Sequence, residues 1–177
     1  MRFATLILTV AVAQATPAVV TVYTVNDCMI PAPVAISAKA LAGKMLSSAG
    51  ISILWRSGKP RSPLPEHSVV LEVSGGTRND YYPGALALAK PYEGDHIEVF
   101  YGRIAETVIP PTVPALLAHV LVHEITHVLQ GINRHSDEGI MKAHWDAHDY
   151  QRMASKPLSF TDKDLELIRR GVVPVAN

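Results

Sequence analysis

Residues 123–127 read His-Glu-Ile-Thr-His. Two histidines four positions apart lie on one face of an α-helix, one turn from each other. Imidazoles so placed can both reach one metal ion at roughly 2.0–2.1 Å, the usual zinc–nitrogen distance. Glu124 projects beside them. It stands where a general base must stand to take a proton from a zinc-bound water, whose pKa the ion lowers to roughly 7 while polarising a carbonyl. The chemistry within reach is hydrolysis of a peptide bond. The surroundings favour a working site. From Ala115 to Leu129 the only residues that are not apolar are His119, His123, Glu124, Thr126 and His127. Ionisable groups on so apolar a helix are costly unless something pairs them. His119, one turn before His123, is read as supporting the site from behind or as packing, and not as a ligand.

Catalytic zinc normally takes three protein ligands and keeps one position open. Behind the helix come His135, Asp137, Glu138, His144, Asp146, His148 and Asp149. Gly131 lets the chain turn sharply past the helix end, and His135 can then fold back toward the metal. Asp146 and His148 stay open as alternatives, because a carboxylate from a following helix can also complete such a site.

His123-Glu124-x-x-His127, then Gly131, then His135, then Gly139-Ile140-Met141 resembles the metzincin metalloproteases. That resemblance implies zinc held by His123, His127 and His135, Glu124 as the base, Gly131 as the turn, and Met141 in a Met-turn beneath the metal. It implies a zincin-type α+β fold: a twisted mixed sheet packed on helices, the active-site helix among them, with a small helical C-terminal part. It also makes residues 85 to 89, including Ala85, Leu86, Ala87 and Leu88, the edge strand that pairs with an extended peptide substrate. The spacing departs from the metzincin pattern H-E-x-x-H-x-x-G-x-x-H. Val128 to Gln130 separate His127 from the glycine, and Ile132 to Arg134 separate the glycine from His135, one residue more in each place. An extra residue rotates a helix exit by about 100°, so the loop must take another path. The tyrosine that some metzincins carry after the Met-turn is also missing; Lys142, Ala143, His144 and Trp145 stand there.

Something must position these groups. Ala18 to Asp27 is β-branched and reads as a strand. Residues 29–34 form a proline-marked connection. Ile36, Ala40, Leu41, Met45, Leu46 and Ala49 then fall at helical spacing, with Gly50 as the stop. Strands are expected at 51–55, 69–76, 85–90 and 96–104, with turns at 77–84 and 91–95. Thr112 is a candidate cap for the helix that ends at Gly131. A further helix is expected over 143–154. A last one starts with a capping box of Thr161 and Asp164, carries Arg169 and Arg170 in its final turn, and is closed by Gly171. Strand, helix, several strands, then helices is an α+β order, with one sheet covered on one face.

The chain of 177 residues suits one domain with a real core. Its formal net charge is zero and its sequence pI is near 7.1, which leaves no electrostatic footprint for nucleic acid. Arg2, the apolar run from Phe3 to Ala13 and the small-residue end Ala13-Gln14-Ala15 read as a signal peptide cut after Ala15. That run is well short of the ~20 residues that span a bilayer, so no stable membrane insertion is expected. Residues 16–177 would form the single mature domain, secreted or periplasmic. One cysteine, Cys28, excludes an internal disulfide; it is either a small buried hydrophobe or an exposed loop thiol. The expectation is a secreted zinc metalloendopeptidase acting on peptide or protein. The alternative is a secreted zinc-binding module on the same fold without proteolysis. Nothing in the sequence speaks to oligomeric state.

Overall fold

The computed structural model describes residues 17–74, 83–89 and 95–172. The expected signal peptide and the turns over 77–82 and 91–94 lie outside these residues. Five strands form one sheet: β1 (Ala18–Val25), β2 (Ile51–Ser57), β3 (Ser68–Ser74), β4 (Ala87–Ala89) and β5 (His96–Phe100). Their spatial order is β2-β1-β3-β5-β4. All neighbours run parallel except β4, which pairs antiparallel with β5 and forms the edge. Parallel partners need a crossover. Helix α1 (Ala32–Ser47) supplies it between β1 and β2.

The period-two pattern of the strands sets the layers. Val20, Val22, Val69, Leu71, Val73, Ile97 and Val99 are buried in the same core as Ala38, Ala42 and Leu46 of α1. Val19 and Leu54, on the other face, are exposed. Above the covered face runs α3 (Val113–Gln130), buried nearly all round, as its apolar composition requires. It packs on α1 and the sheet, and also meets α4 (Ala147–Ser155) and α5 (Asp162–Val172). Residues 110–130 are long and apolar enough to cross a bilayer, but most of that stretch is buried as the core helix of this fold.

Several expected boundaries move, each for a local reason. The strand expected over 96–104 ends at Phe100, and residues 101–107 form a short helix, α2 (Tyr101–Thr107). Tyr101 continues the alternation of Ile97 and Val99, but Tyr101 and Ile104, three positions apart, share a face only in a helix. Ile104 is fully buried, and Arg103 folds back over the Phe100 ring and donates to Ala85 O at 2.8 Å. The connection at 29–34 is half helix: Ala32, Pro33 and Val34 open α1, where proline's missing N–H costs nothing. Ile36, one of the apolar residues at helical spacing, is 69% exposed, while Ala38 and Ala42 are fully buried. Thr112 makes no side-chain cap; it closes a 3₁₀ turn at Pro110–Thr112 that leads into α3. The helix expected from 143 begins at Ala147, because Asp146 caps it, accepting from the N–H groups of His148 and Asp149. The capping box of Thr161 and Asp164 is present in both directions. Gly171 lies inside α5, and not beyond it. A Cβ there would collide with the carbonyl oxygen of Leu129, so the glycine permits close approach of α5 to the end of α3.

Candidate metal centre

The second half of α3 carries His123, Glu124 and His127, all buried. Burial is imposed by the helix's apolar neighbours, so each polar group needs a partner. The two histidines find theirs on opposite sides. His123 Nδ1 lies 2.8 Å from the carbonyl oxygen of Ile140, and His127 Nδ1 lies 3.2 Å from that of Ile132. A carbonyl can only accept, so both rings carry their proton on Nδ1. Both Nε2 atoms are therefore bare lone pairs, and they face each other at 3.0 Å. Two acceptors at that distance repel unless a cation lies between them.

His135 completes the group. One ring nitrogen from each of His123, His127 and His135 falls within 4.8 Å of the other two. Gly131 makes this possible. It ends α3 in the left-handed region (φ 65°), and its N–H bonds back to the carbonyls of His127 and Val128. The longer loop then returns to the helix. Ser136 N donates to Met141 O at 2.7 Å, which ties the residue after His135 to the turn at 139–141. In that turn Gly139 is left-handed (φ 76°) and has no room for a Cβ, which would strike the carbonyl oxygen of Ser159. Ile140 presents its carbonyl to His123, and Met141 is fully buried. Trp145 donates to Gly139 O at 3.2 Å and stands edge-on to His123.

The donor set fits zinc. Tetrahedral zinc with bonds of roughly 2.0–2.1 Å spaces its nitrogens about 3.3 Å apart, close to the observed separation of the two Nε2 atoms. The electrostatics agree. Burial, then the neighbouring His127, pushes His123 down to about 3, and burial pushes His127 down to about 4. His135 is lowered too, by burial first and then by His144 and Arg134. Neutral imidazole is the form that binds a metal.

Glu124 is raised to about 7 by burial, against the lowering effect of the Ala89 N–H, which donates to Oε2 at 2.7 Å. Ala89 belongs to the edge strand, so the carboxylate and the sheet edge are in direct contact. Of the expected substrate strand, Ala87 and Leu88 lie in β4, while Ala85 and Leu86 lead into it. Leu86 O accepts from Phe100 N, toward β5. Antiparallel pairs alternate, so the main-chain groups of Ala87 and Ala89 point away from β5. The Ala89 contact with Glu124 follows from that parity.

The alternative ligands go elsewhere. Asp146, His148 and Asp149 form a separate group. Lys142 Nζ lies 2.9 Å from Asp146 and 2.6 Å from Asp149 within it. His119 is fully buried; its Nδ1 donates to Ala115 O, and its Nε2 accepts from Leu158 N. It anchors residue 158 behind the site and does not face the other three histidines' shared nitrogens. Cys28 is exposed in a 3₁₀ turn.

Sequence reasoning missed Asp164 as part of this neighbourhood. It is fully buried and accepts from Arg134 and Ser136, on either side of His135. Burial pushes its carboxyl up, but hydrogen bonds from Ser136, Thr161 and Arg134 outweigh this and hold it below the ordinary value. Its one visible signal, the spacing to Thr161, spoke only of a helix cap.

No protein-family model matches the chain, and no curated protein matches it. Solved structures do. Archaemetzincin (amzA) from Methanopyrus kandleri superposes with a TM-score of 0.59 at 16% identity, covering 90% of this chain and 98% of that one. Myroilysin gives a TM-score of 0.39 at 15% identity, over 86% of this chain and 67% of that one. The archaemetzincin likeness extends over nearly the whole of both chains and establishes the architecture: this chain has a metzincin-like fold.

Proposed function

We propose that this chain is a secreted zinc metalloendopeptidase, with His123, His127 and His135 as ligands and Glu124 as general base. The observation that carries the proposal is the pair of facing, unprotonated Nε2 atoms, with His135 beside them and a buried carboxylate next in sequence. Zinc, when bound, would polarise the scissile carbonyl and acidify a water. The rest is done by the chain's own groups. Glu124, raised to about 7, is matched to take a proton from the attacking water near neutral pH and return it to the departing amine. The Ala89 N–H holds Oε2, so Oε1 would be the oxygen that takes the proton. The outward N–H and carbonyl of Ala87 and the outward carbonyl of Ala89 can pair with an extended peptide laid along the edge. Pairing along a strand uses an internal stretch of substrate, which favours endopeptidase over exopeptidase action.

The test is zinc per purified chain together with hydrolysis of a peptide library, before and after Glu124→Gln. One zinc per chain and hydrolysis, with zinc kept and hydrolysis lost in the variant, is the expected result. A metal-free chain, or cleavage untouched by the substitution, overturns the proposal. Secretion is checked by the mass of the exported chain, expected to begin at Thr16.

A further inference from the structure

The loop that carries His135 is longer than the metzincin pattern on both sides of Gly131, yet it returns His135 to within 4.8 Å of the other two donors. A loop on its own would have to be ordered by the metal, at a cost in entropy for every residue fixed. The residues on either side of His135 show what orders it. Arg134 Nη1 donates to Asp164 Oδ1 at 2.9 Å, and Ser136 Oγ donates to the same oxygen at 2.7 Å. Arg134 Nη1 also reaches Ser136 Oγ at 3.2 Å, closing a small ring of contacts. The other oxygen, Oδ2, accepts from the N–H and Oγ1 of Thr161 at 2.9 and 2.7 Å. Capping α5 needs only Oδ2. It does not explain why Oδ1 is turned to a loop 28 to 30 residues away in sequence. Nor does it explain why the side chain is fully buried, since a capping carboxylate works at the surface. Burying a carboxylate is costly unless several donors satisfy it, and two of the donors here flank His135.

We infer that Asp164 is a positioning residue: it latches Arg134 and Ser136 onto α5 and so delivers His135 to the metal. The inference rests on the reading of the three histidines as a zinc site. The spacing from His127 to His135 is two residues longer than the metzincin pattern, and Asp164 supplies the constraint that the longer loop needs. The other side of the loop is fixed by Ser136 N on Met141 O, so His135 is held between two anchors. Preorganisation of this kind acts on metal affinity, where loss of a group that orients a ligand typically costs 10–100-fold.

The experiment measures zinc affinity by chelator competition and the visible absorption of the cobalt(II) form. The wild type is compared with Arg134→Met/Ser136→Ala, which cuts the latch and leaves the capping box whole, and with Thr161→Ala, which weakens the cap and leaves the latch. The double variant is expected to bind zinc 10–100-fold more weakly, with a cobalt spectrum shifted toward that of His135→Ala. Thr161→Ala is expected to melt lower but to keep the wild-type affinity and spectrum. In a His135→Ala background, cutting the latch should cost nothing further. If the double variant does not fold, Ser136→Ala alone is read by its cobalt spectrum. Wild-type affinity and spectrum in the latch variant overturn the role of Asp164 while leaving the zinc site standing. A wild-type chain that binds neither metal overturns the zinc site, and this role with it.

Discussion

The main-chain N–H of Ala89 lies 2.7 Å from Oε2 of Glu124, so the last strand of the sheet and the middle of the core helix meet at one hydrogen bond. This contact fixes which edge groups remain for a substrate. The Ala89 N–H is taken, and the N–H and carbonyl of Ala87 point the same way along β4.

Replacing Ala87 by proline removes that outward N–H without touching the bonds to β5, a substitution that edge strands tolerate. The expected result is a fall of roughly tenfold in kcat/KM for an extended peptide, the worth of about one hydrogen bond. Zinc content should not change. Steady-state kinetics and metal analysis on the same preparation check both.

Zinc binding should release a proton from Glu124 and not from the two helix histidines. His123 and His127, at about 3 and about 4, are already neutral at pH 6. Glu124, at about 7, is mostly protonated there, and a cation beside it favours the charged form. Titration calorimetry in buffers of different ionisation heat should find most of a proton released at pH 6. Glu124→Gln should lose that release, and the difference between the two proteins should vanish by pH 8. Equal release from both proteins at pH 6 would count against it.

The same carboxyl sets a pH dependence on the metal-free fold. Its folded value is raised from 4.5 to about 7. Its contribution is thus fully present below about 4.5 and lost as pH rises through about 7. Glutamine carries no such charge and can still accept from Ala89. Metal-free Glu124→Gln should match the wild type at pH 5 and exceed it at pH 8, by on the order of 2–3 kcal/mol. Denaturant midpoints at the two pH values decide it; an equal difference at both contradicts the burial of this group.

Gly139→Ala should damage the site from below. The position is left-handed, and a Cβ would meet the carbonyl of Ser159. The turn must shift, and the Ile140 carbonyl that holds the His123 ring shifts with it. A loss of roughly 1–3 kcal/mol in stability is expected, together with weaker zinc binding, read by thermal melts with and without zinc.

Much of this site is legible in sequence because it is local. His123, Glu124 and His127 share a helix face by period alone, and Gly131 marks the helix end by its conformation. Apolar runs between turn signals located the five described strands, but Tyr101 carries the alternation of Ile97 and Val99 past the end of the last one. Beyond Phe100 the chain is helical, with Ile104 buried and Arg103 folded back to Ala85, a contact that no local pattern announces. Asp164 was visible as a cap because Thr161 lies three residues away. Its hold on Arg134 and Ser136 crosses about thirty residues, and no local pattern encodes that. The contact of Ala89 with Glu124 is a main-chain donor meeting a side chain across two layers, which no residue type announces. The register of a three-residue edge strand is set by such partners more than by its own sequence.

The most direct measurement is anomalous diffraction at the zinc edge from crystals grown with zinc. The expected result is one strong peak at roughly 2.0–2.1 Å from a ring nitrogen of each of His123, His127 and His135, with Glu124 outside bonding distance. A peak at Asp146, His148 and Asp149 instead, or none near the three histidines, would contradict the reading of this chain as a zinc peptidase.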